Sequence, residues 1–321
     1  MTPTNVLVID NPKADFLAPL RQLPPSLNVV ISDQLEVLRA EAPKADAALL
    51  SGDPKLLRAI FPAATRLRWL QTLSAGIEEV LFPELVSSPV VMTNARGVFK
   101  SSLAEFVIAS ALYFAKDFRR MVRNQEDGAW DRFDVDELRG KVMGIVGYGA
   151  TGQACAELAR PFGMKILGLR RRPELSQGDP LLDKVLGPSG LMELLKASDY
   201  VVIAAPATAD TQHLIGEDEL KAMKPRAVII NVGRGWSIDE VALVSALERE
   251  QILGAALDVF AMEPLPAGHP FFFLKNLLLS PHIADHTADW QSLSVEFFMK
   301  NLERFVAGQP LENIVDKTTG Y

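Results

Sequence analysis

The sequence predicts an α/β fold built on two parallel sheets, and three observations carry that expectation. Short apolar runs recur along the chain with turn or helix signals between them, the alternation that builds parallel sheets. The series restarts at Lys141, so the chain holds two similar halves. Its 321 residues are about two domains' worth, with ample chain for a core in each.

In the first half, residues 5–10, 28–32, 46–50, 69–73 and 90–94 read as strands. Ala45 to Gly52 is an apolar strand with a polar end. Leu67-Arg68-Trp69-Leu70-Gln71-Thr72 alternates and leads into Ser74-Ala75-Gly76. Ser101 or Ser102 is placed to cap a helix running through Leu103, Phe106, Val107, Ala111 and Phe114. The charged segment Lys116 to Arg139 follows. Strands of the second half begin at Lys141 and recur near 165–169, 199–204, 227–231, 254–258 and 277–280. A last helical run, Trp290 to Ala307, comes after the second sheet is complete and is expected to return to the first domain. The expected domains are therefore residues 1–98 with 288–321, and residues 99–287.

Composition narrows the class. Hydrophobic content of 48% and charged content of 23% are ordinary for a soluble protein. A net charge of −7 argues against nucleic-acid or anionic-membrane partners while leaving room for a local basic pocket. The single Cys155 excludes an intrachain disulfide, and its place on a small-residue helix face points to a buried, inert thiol. The start, Met1-Thr2-Pro3-Thr4, lacks the basic opening and long apolar core of a signal peptide. No apolar run reaches membrane-spanning length. The expectation is a cytoplasmic protein.

The chemistry starts at Met143-Gly144-Ile145-Val146-Gly147-Tyr148-Gly149-Ala150-Thr151-Gly152, an apolar strand followed by a G-x-G-x-x-G turn and a helix. This arrangement binds the pyrophosphate of a dinucleotide at a helix N-terminus. Gly147 permits the tight turn, Gly149 the approach of phosphate, and Gly152 close packing of helix on strand. The second strand, Lys165 to Leu169, ends in Arg170-Arg171-Arg172, where an NAD site places a carboxylate for the ribose 2′-OH. Guanidinium groups pair with a 2′-phosphate, which a carboxylate repels. NADP(H) is the preferred cofactor on this reading, NAD(H) remains possible, and a solvated basic turn is the alternative.

Three further segments complete a constellation: Asn231-Val232-Gly233-Arg234-Gly235, Asp258 to Pro266 with Glu263 inside it, and Pro281-His282-Ile283-Ala284. With the glycine turn, their order and spacing resemble the D-isomer-specific 2-hydroxyacid dehydrogenases, in the glyoxylate/hydroxypyruvate reductase direction. The resemblance covers essentially the whole chain. Reducing a 2-oxo acid takes a hydride donor, a proton donor and a cation for the substrate's oxygens. His282 can supply the proton, since the reference pKa of an imidazole lies near neutrality. Glu263 can pair with the imidazole, and Arg234 offers a fixed fork of donors. The resemblance assigns these three residues the same catalytic roles.

It also implies two Rossmann/flavodoxin-like domains, a substrate domain (1–98, 288–321) and a dinucleotide-binding domain (99–287), with the active site in the interdomain cleft at strand C-terminal ends. Ser74-Ala75-Gly76 resembles the loop that holds the substrate carboxylate, with a plain turn as the alternative. Ala150 and Thr151 are carried to the pyrophosphate, Ala205, Pro206 and Thr211 to the adenosine side, and Val232, Gly233 and Asp258 to the nicotinamide side. Asn94 and Glu105 fall in similar segments without a catalytic assignment. A homodimer through Ser101–Leu138 is expected by resemblance only; Trp130 stands near that contact or in an ordinary core. Asp285, His286 and Trp290 depart from the small residues usual there. His282 and His286 have zinc-like spacing, but Pro281 and the missing Glu argue against a metal. Formate dehydrogenation is the enzyme alternative, weakened by Glu263 where such enzymes carry Gln. A dinucleotide-sensing corepressor or scaffold is the other.

Overall fold

A computed structural model describes residues 3–320; Met1, Thr2 and Tyr321, the ends of the expected substrate domain, lie outside that range. The chain divides into two compact units, one reaching Phe99 and resuming at Ala288, the other running Lys100–Thr287.

The first unit contains β1 (Thr4–Ile9), β2 (Leu27–Ser32), α1 (Leu35–Glu41), β3 (Ala47–Leu50), α2 (Pro54–Ile60), β4 (Trp69–Thr72), α3 (Pro83–Ser87) and β5 (Val91–Thr93). Its sheet is parallel throughout, in the order β2-β1-β3-β4-β5. The two-residue period of β1 sends Val6 and Val8 to one face and Leu7 and Ile9 to the other. On the Leu7 face lie Leu38, Leu57 and Ile60. On the Val6 face lie Trp69 and the C-terminal helix Trp290–Val306, through Val295, Phe298 and Leu302. Phe298 stacks on Trp69 at 5.1 Å between ring centroids. Each buried side chain of this size contributes roughly 1.5–3 kcal/mol. Gln71, expected on the polar side of an alternating strand, is fully buried; its Oε1 accepts from Thr93 and Asn301.

The second unit contains α4 (Lys100–Lys116), α5 (Phe118–Glu126), β6 (Val142–Val146), α6 (Ala150–Ala159), β7 (Lys165–Leu169), β8 (Lys184–Leu186), α7 (Leu191–Ala197), β9 (Tyr200–Ile203), α8 (Glu217–Ala222), β10 (Val228–Asn231), α9 (Glu240–Glu248), β11 (Gly254–Leu257) and β12 (Leu277–Leu279). Its seven strands are parallel, in the order β12-β11-β10-β9-β6-β7-β8. Strand order reverses at β6, whose neighbours are β7 and β9. Open α/β sheets bind ligands at such a point, beyond the strands' C-terminal ends. Both faces are covered, one by α4 and α6 with Met143, Ile145, Val202 and Cys155, the other by Val201, Ile203, Leu243 and Leu257. Cys155 is fully buried, and burial pushes its thiol up to about 12.

Four details differ from the sequence reading. Helix α4 begins at Lys100, so Ser101 and Ser102 lie in its first turn and cap nothing. Helix α5 lies unannounced inside the charged segment: it buries no residue, and its apolar Phe118, Met121 and Val122, at helical spacing, are interleaved with three arginines. Strand β8 is a three-residue edge strand with only Leu186 buried. Trp130 is 94% exposed, which rules out the core alternative. Among the described residues, no helix is long and apolar enough to cross a membrane.

Candidate active site

Six strand ends of the second unit carry the residues singled out by sequence, and they share one edge of one sheet. Gly147 follows β6, Arg170 follows β7, Ala205 lies just past β9, Val232 follows β10, Asp258 follows β11, and His282 lies just past β12. Parallel strands give this arrangement for free, because all their C-termini point one way.

The glycine turn is fixed by its neighbours. Gly147 has φ +95°, and a Cβ there would fall 2.5 Å from the Ala205 amide nitrogen. Only glycine fits such a backbone at that separation. A Cβ at Gly152 would meet the Gly147 carbonyl at 2.7 Å, so α6 packs directly on the turn. Gly149 is the residue before α6, and a Cβ there would meet no protein atom within 4 Å. The amides of Ala150, Thr151 and Gly152 open the helix beside it, a cradle suited to pyrophosphate.

The Leu169 carbonyl accepts from Gly147 and Tyr148 at 2.9 and 3.0 Å, which brings the end of β7 against the turn. Arg170 therefore follows directly, its Nη1 donating to Ser176 Oγ at 2.5 Å. Arg171 and Arg172 are exposed, and the first carboxylate beyond them is Glu174. After β9, Thr211 Oγ1 donates to the Pro206 carbonyl at 2.7 Å and accepts from the Thr208 amide, closing the Ala205–Thr211 loop. After β10, Asn231 accepts from the Gly233 amide and donates to the Arg234 carbonyl, each at 3.0 Å. Arg234 Nη1 donates to the Gly233 carbonyl at 2.7 Å. A Cβ on Gly235 would fall 1.9 Å from the Phe260 carbonyl carbon, so the arginine loop is pressed against the segment bearing Glu263.

That segment delivers the key pair. Nδ1 of His282 lies 2.6 Å from Glu263 Oε2, while Glu263 Oε1 accepts the Phe260 amide at 2.8 Å. The Ala261 peptide is held at both ends, its N–H by Glu240 and its carbonyl by Trp236 Nε1. His282 adopts φ +54°, uncommon for a residue with a side chain and frequent where structure serves a site.

Asp258 explains how that conformation persists. Its carboxylate is buried, and Oδ1 accepts from Ser280 Oγ at 2.6 Å, the Ile283 amide at 3.0 Å and the Ala284 amide at 3.1 Å. Ser102 Oγ donates to the Ala284 carbonyl at 2.5 Å from the other side. Sequence reading missed Ser280, Asn231 and Ser102 in these roles. Each holds a loop through a bond whose partner is distant in sequence or known only from the turn geometry.

In the first unit, Ser74-Ala75-Gly76 follows β4. Its carbonyls are taken: Ser74 by Thr72 Oγ1 and the Ala95 amide, Ala75 by Asn94 Nδ2 at 2.7 Å, and Gly76 by Ser74 Oγ. The backbone N–H groups are what this turn has left to offer a ligand. Asn94, unassigned by sequence, is the residue that orients it.

A parallel sheet with a glycine turn at its switch point, and a histidine–carboxylate pair on the same edge, is the architecture of a nicotinamide-dinucleotide-dependent dehydrogenase. Residues 108–284 match the family model for the D-isomer specific 2-hydroxyacid dehydrogenase, NAD binding domain. A glyoxylate reductase of Thermococcus gammatolerans is 34% identical over 293 residues, 88% of this chain and 86% of that protein. Among solved structures, a D-isomer specific 2-hydroxyacid dehydrogenase family protein of Aeromonas salmonicida superposes with TM-score 0.85 at 29% identity, covering 99% of this chain and all of that one. An NADPH-dependent glyoxylate/hydroxypyruvate reductase of Sinorhizobium meliloti, in complex with NADP and sulfate, gives 0.84 at 25% identity with the same coverage. The chain belongs to the D-isomer-specific 2-hydroxyacid dehydrogenases, NAD(P)-dependent enzymes acting on CH–OH donors.

Proposed function

We propose that this enzyme reduces small 2-oxo acids of the glyoxylate and hydroxypyruvate type to D-2-hydroxy acids, with NADPH preferred over NADH. The observation that carries the reading is the 2.6 Å contact between His282 Nδ1 and Glu263 Oε2. It fixes the imidazole by one nitrogen and leaves Nε2 to hand a proton to the substrate oxygen. When bound, the nicotinamide supplies the hydride. Arg234 holds the substrate's oxygens as negative charge develops, and the Ser74–Gly76 amides take its carboxylate. In the reverse direction the same imidazole, neutral, removes the hydroxyl proton.

The residues suit the cofactor. Gly147 to Gly152 would hold the pyrophosphate, Ala205, Pro206 and Thr211 the adenosine side, and Val232, Gly233 and Asp258 the nicotinamide side. The preference for NADP(H) rests on Arg170, Arg171 and Arg172 standing where a carboxylate would select NAD(H). A cytoplasmic homodimer completes the proposal. It is supported by Met121, Val122, Trp130 and Val135, apolar side chains left exposed along 118–135 that a second copy would cover. Steady-state rates with NADPH and NADH across a panel of 2-oxo acids test it. Turnover of none of them, with cofactor-dependent capture of a partner protein, would favour the scaffold alternative instead.

A further inference from the structure

Tyr148, between the first two glycines of the turn, is fully buried. Its ring lies against β7, where a Cβ on Gly168 would fall 3.0 Å from Tyr148 Cγ. Its hydroxyl donates to Asp179 Oδ2 at 3.0 Å. Burial, and then the bond to Asp179, push the phenol above its usual range, so it stays a donor. The glycines around it serve the pyrophosphate, but pyrophosphate binding does not call for a phenol.

Asp179 passes the contact on. Its amide donates to the Ser176 carbonyl at 3.2 Å, and its Oδ1 accepts from the Leu181 amide at 2.9 Å, closing the segment 176–181 on itself. Arg160 Nε holds the far side of that segment through the Leu181 carbonyl at 2.9 Å. Ser176 is buried and ends the 3₁₀ turn Pro173–Ser176; its hydroxyl accepts from Arg170 Nη1 at 2.5 Å.

Arg170 is thus tied to the glycine turn twice. Its backbone follows Leu169, whose carbonyl accepts the Gly147 and Tyr148 amides, and its side chain is held by way of Ser176, Asp179 and the Tyr148 phenol. A guanidinium carries five N–H donors, so one bond to Ser176 aims it and leaves others for a phosphate.

We propose that Tyr148 is a positioning residue for cofactor choice: its hydroxyl, through Asp179 and Ser176, holds Arg170 where it meets the 2′-phosphate of NADPH. This rests on the preference for NADP(H) proposed above. The pyrophosphate is common to both cofactors and the 2′-phosphate belongs to one, so a loosened arginine costs NADPH affinity more than NADH affinity.

The test is the dissociation constant of NADPH and of NADH, titrated without substrate, for wild type, Tyr148→Phe and Ser176→Ala. Tyr148→Phe keeps the ring that packs on Gly168 and removes only the hydroxyl. In both variants NADPH should weaken more than NADH, so that the preference for NADPH falls by about fivefold or more. A purely structural role in the turn would weaken the two cofactors alike and leave their ratio in place. An unchanged ratio in either variant would overturn the proposal. Wild type binding NADH as tightly as NADPH would instead defeat the reading of the arginines, and this one with it.

Discussion

Glu263 is anchored at both oxygens, one to His282 Nδ1 at 2.6 Å and the other to the Phe260 amide at 2.8 Å. The imidazole is therefore aimed by a carboxylate that is itself held in place, the condition for proton transfer at a defined point.

Replacing Glu263 by Gln keeps the shape and removes the charge. A carboxylate beside imidazole favours the protonated ring. Reduction needs that form, so its rate in the variant should fall off at lower pH than in wild type. Oxidation needs the neutral ring, so its rising limb should also move to lower pH. Profiles of rate against pH in both directions read this, and profiles that stay in place would remove Glu263 from its role.

Arg170→Ala combined with Arg171→Ala should weaken NADPH far more than NADH. Each lost charged hydrogen bond should cost about 1.5–3 kcal/mol. Titrating both cofactors into wild type and variant decides it. Equal weakening would mean that neither arginine recognises the 2′-phosphate.

Ser280→Ala removes the hydroxyl that donates to Asp258 Oδ1 at 2.6 Å. Because the acceptor is a buried carboxylate, the loss should destabilise the protein by about 1.5–3 kcal/mol. Thermal denaturation measures it. Turnover should fall as well, since the same carboxylate holds the amides just after His282. A variant as stable and active as wild type would show that the two loop amides suffice.

Asp285 makes a prediction about stability and pH. Its carboxyl is raised in the folded protein, mainly by burial, with His286 and His282 opposing and Asp258 adding. The folded state thus holds the proton more tightly than the unfolded chain, and stability is lost as pH rises through the folded value. Asp285→Asn lacks this titration. Its Tm relative to wild type should rise between the ordinary Asp value of about 3.9 and neutrality. A Tm difference that does not vary with pH would contradict the burial of an ionisable carboxyl.

Much of the fold was legible because parallel strands covered on both faces must be apolar, as β3 and β10 are, and because glycines at 147, 149 and 152 announce a turn by their spacing. Helix α5 and strand β8 were not: the short apolar stripe of α5 is exposed and interleaved with arginines, and β8 has three residues of which one is buried. The pairing of Glu263 with His282 could be argued from side-chain chemistry. The anchoring of the histidine loop by Asp258, Ser280 and Ser102 could not. Asp258 and Ser280 meet because β11 and β12 are neighbours, and Ser102 reaches Ala284 across 182 residues of chain. Hydroxyls and carboxylates of this kind look like any others until the register of the strands is known.

The most direct measurement is turnover of His282→Ala with NADPH and glyoxylate, alongside NADPH binding to the same preparation. If His282 delivers the proton, kcat should drop by roughly 10²–10⁴-fold while NADPH still binds. Turnover within a few-fold of wild type by a variant that binds NADPH normally would show that the proton comes from elsewhere.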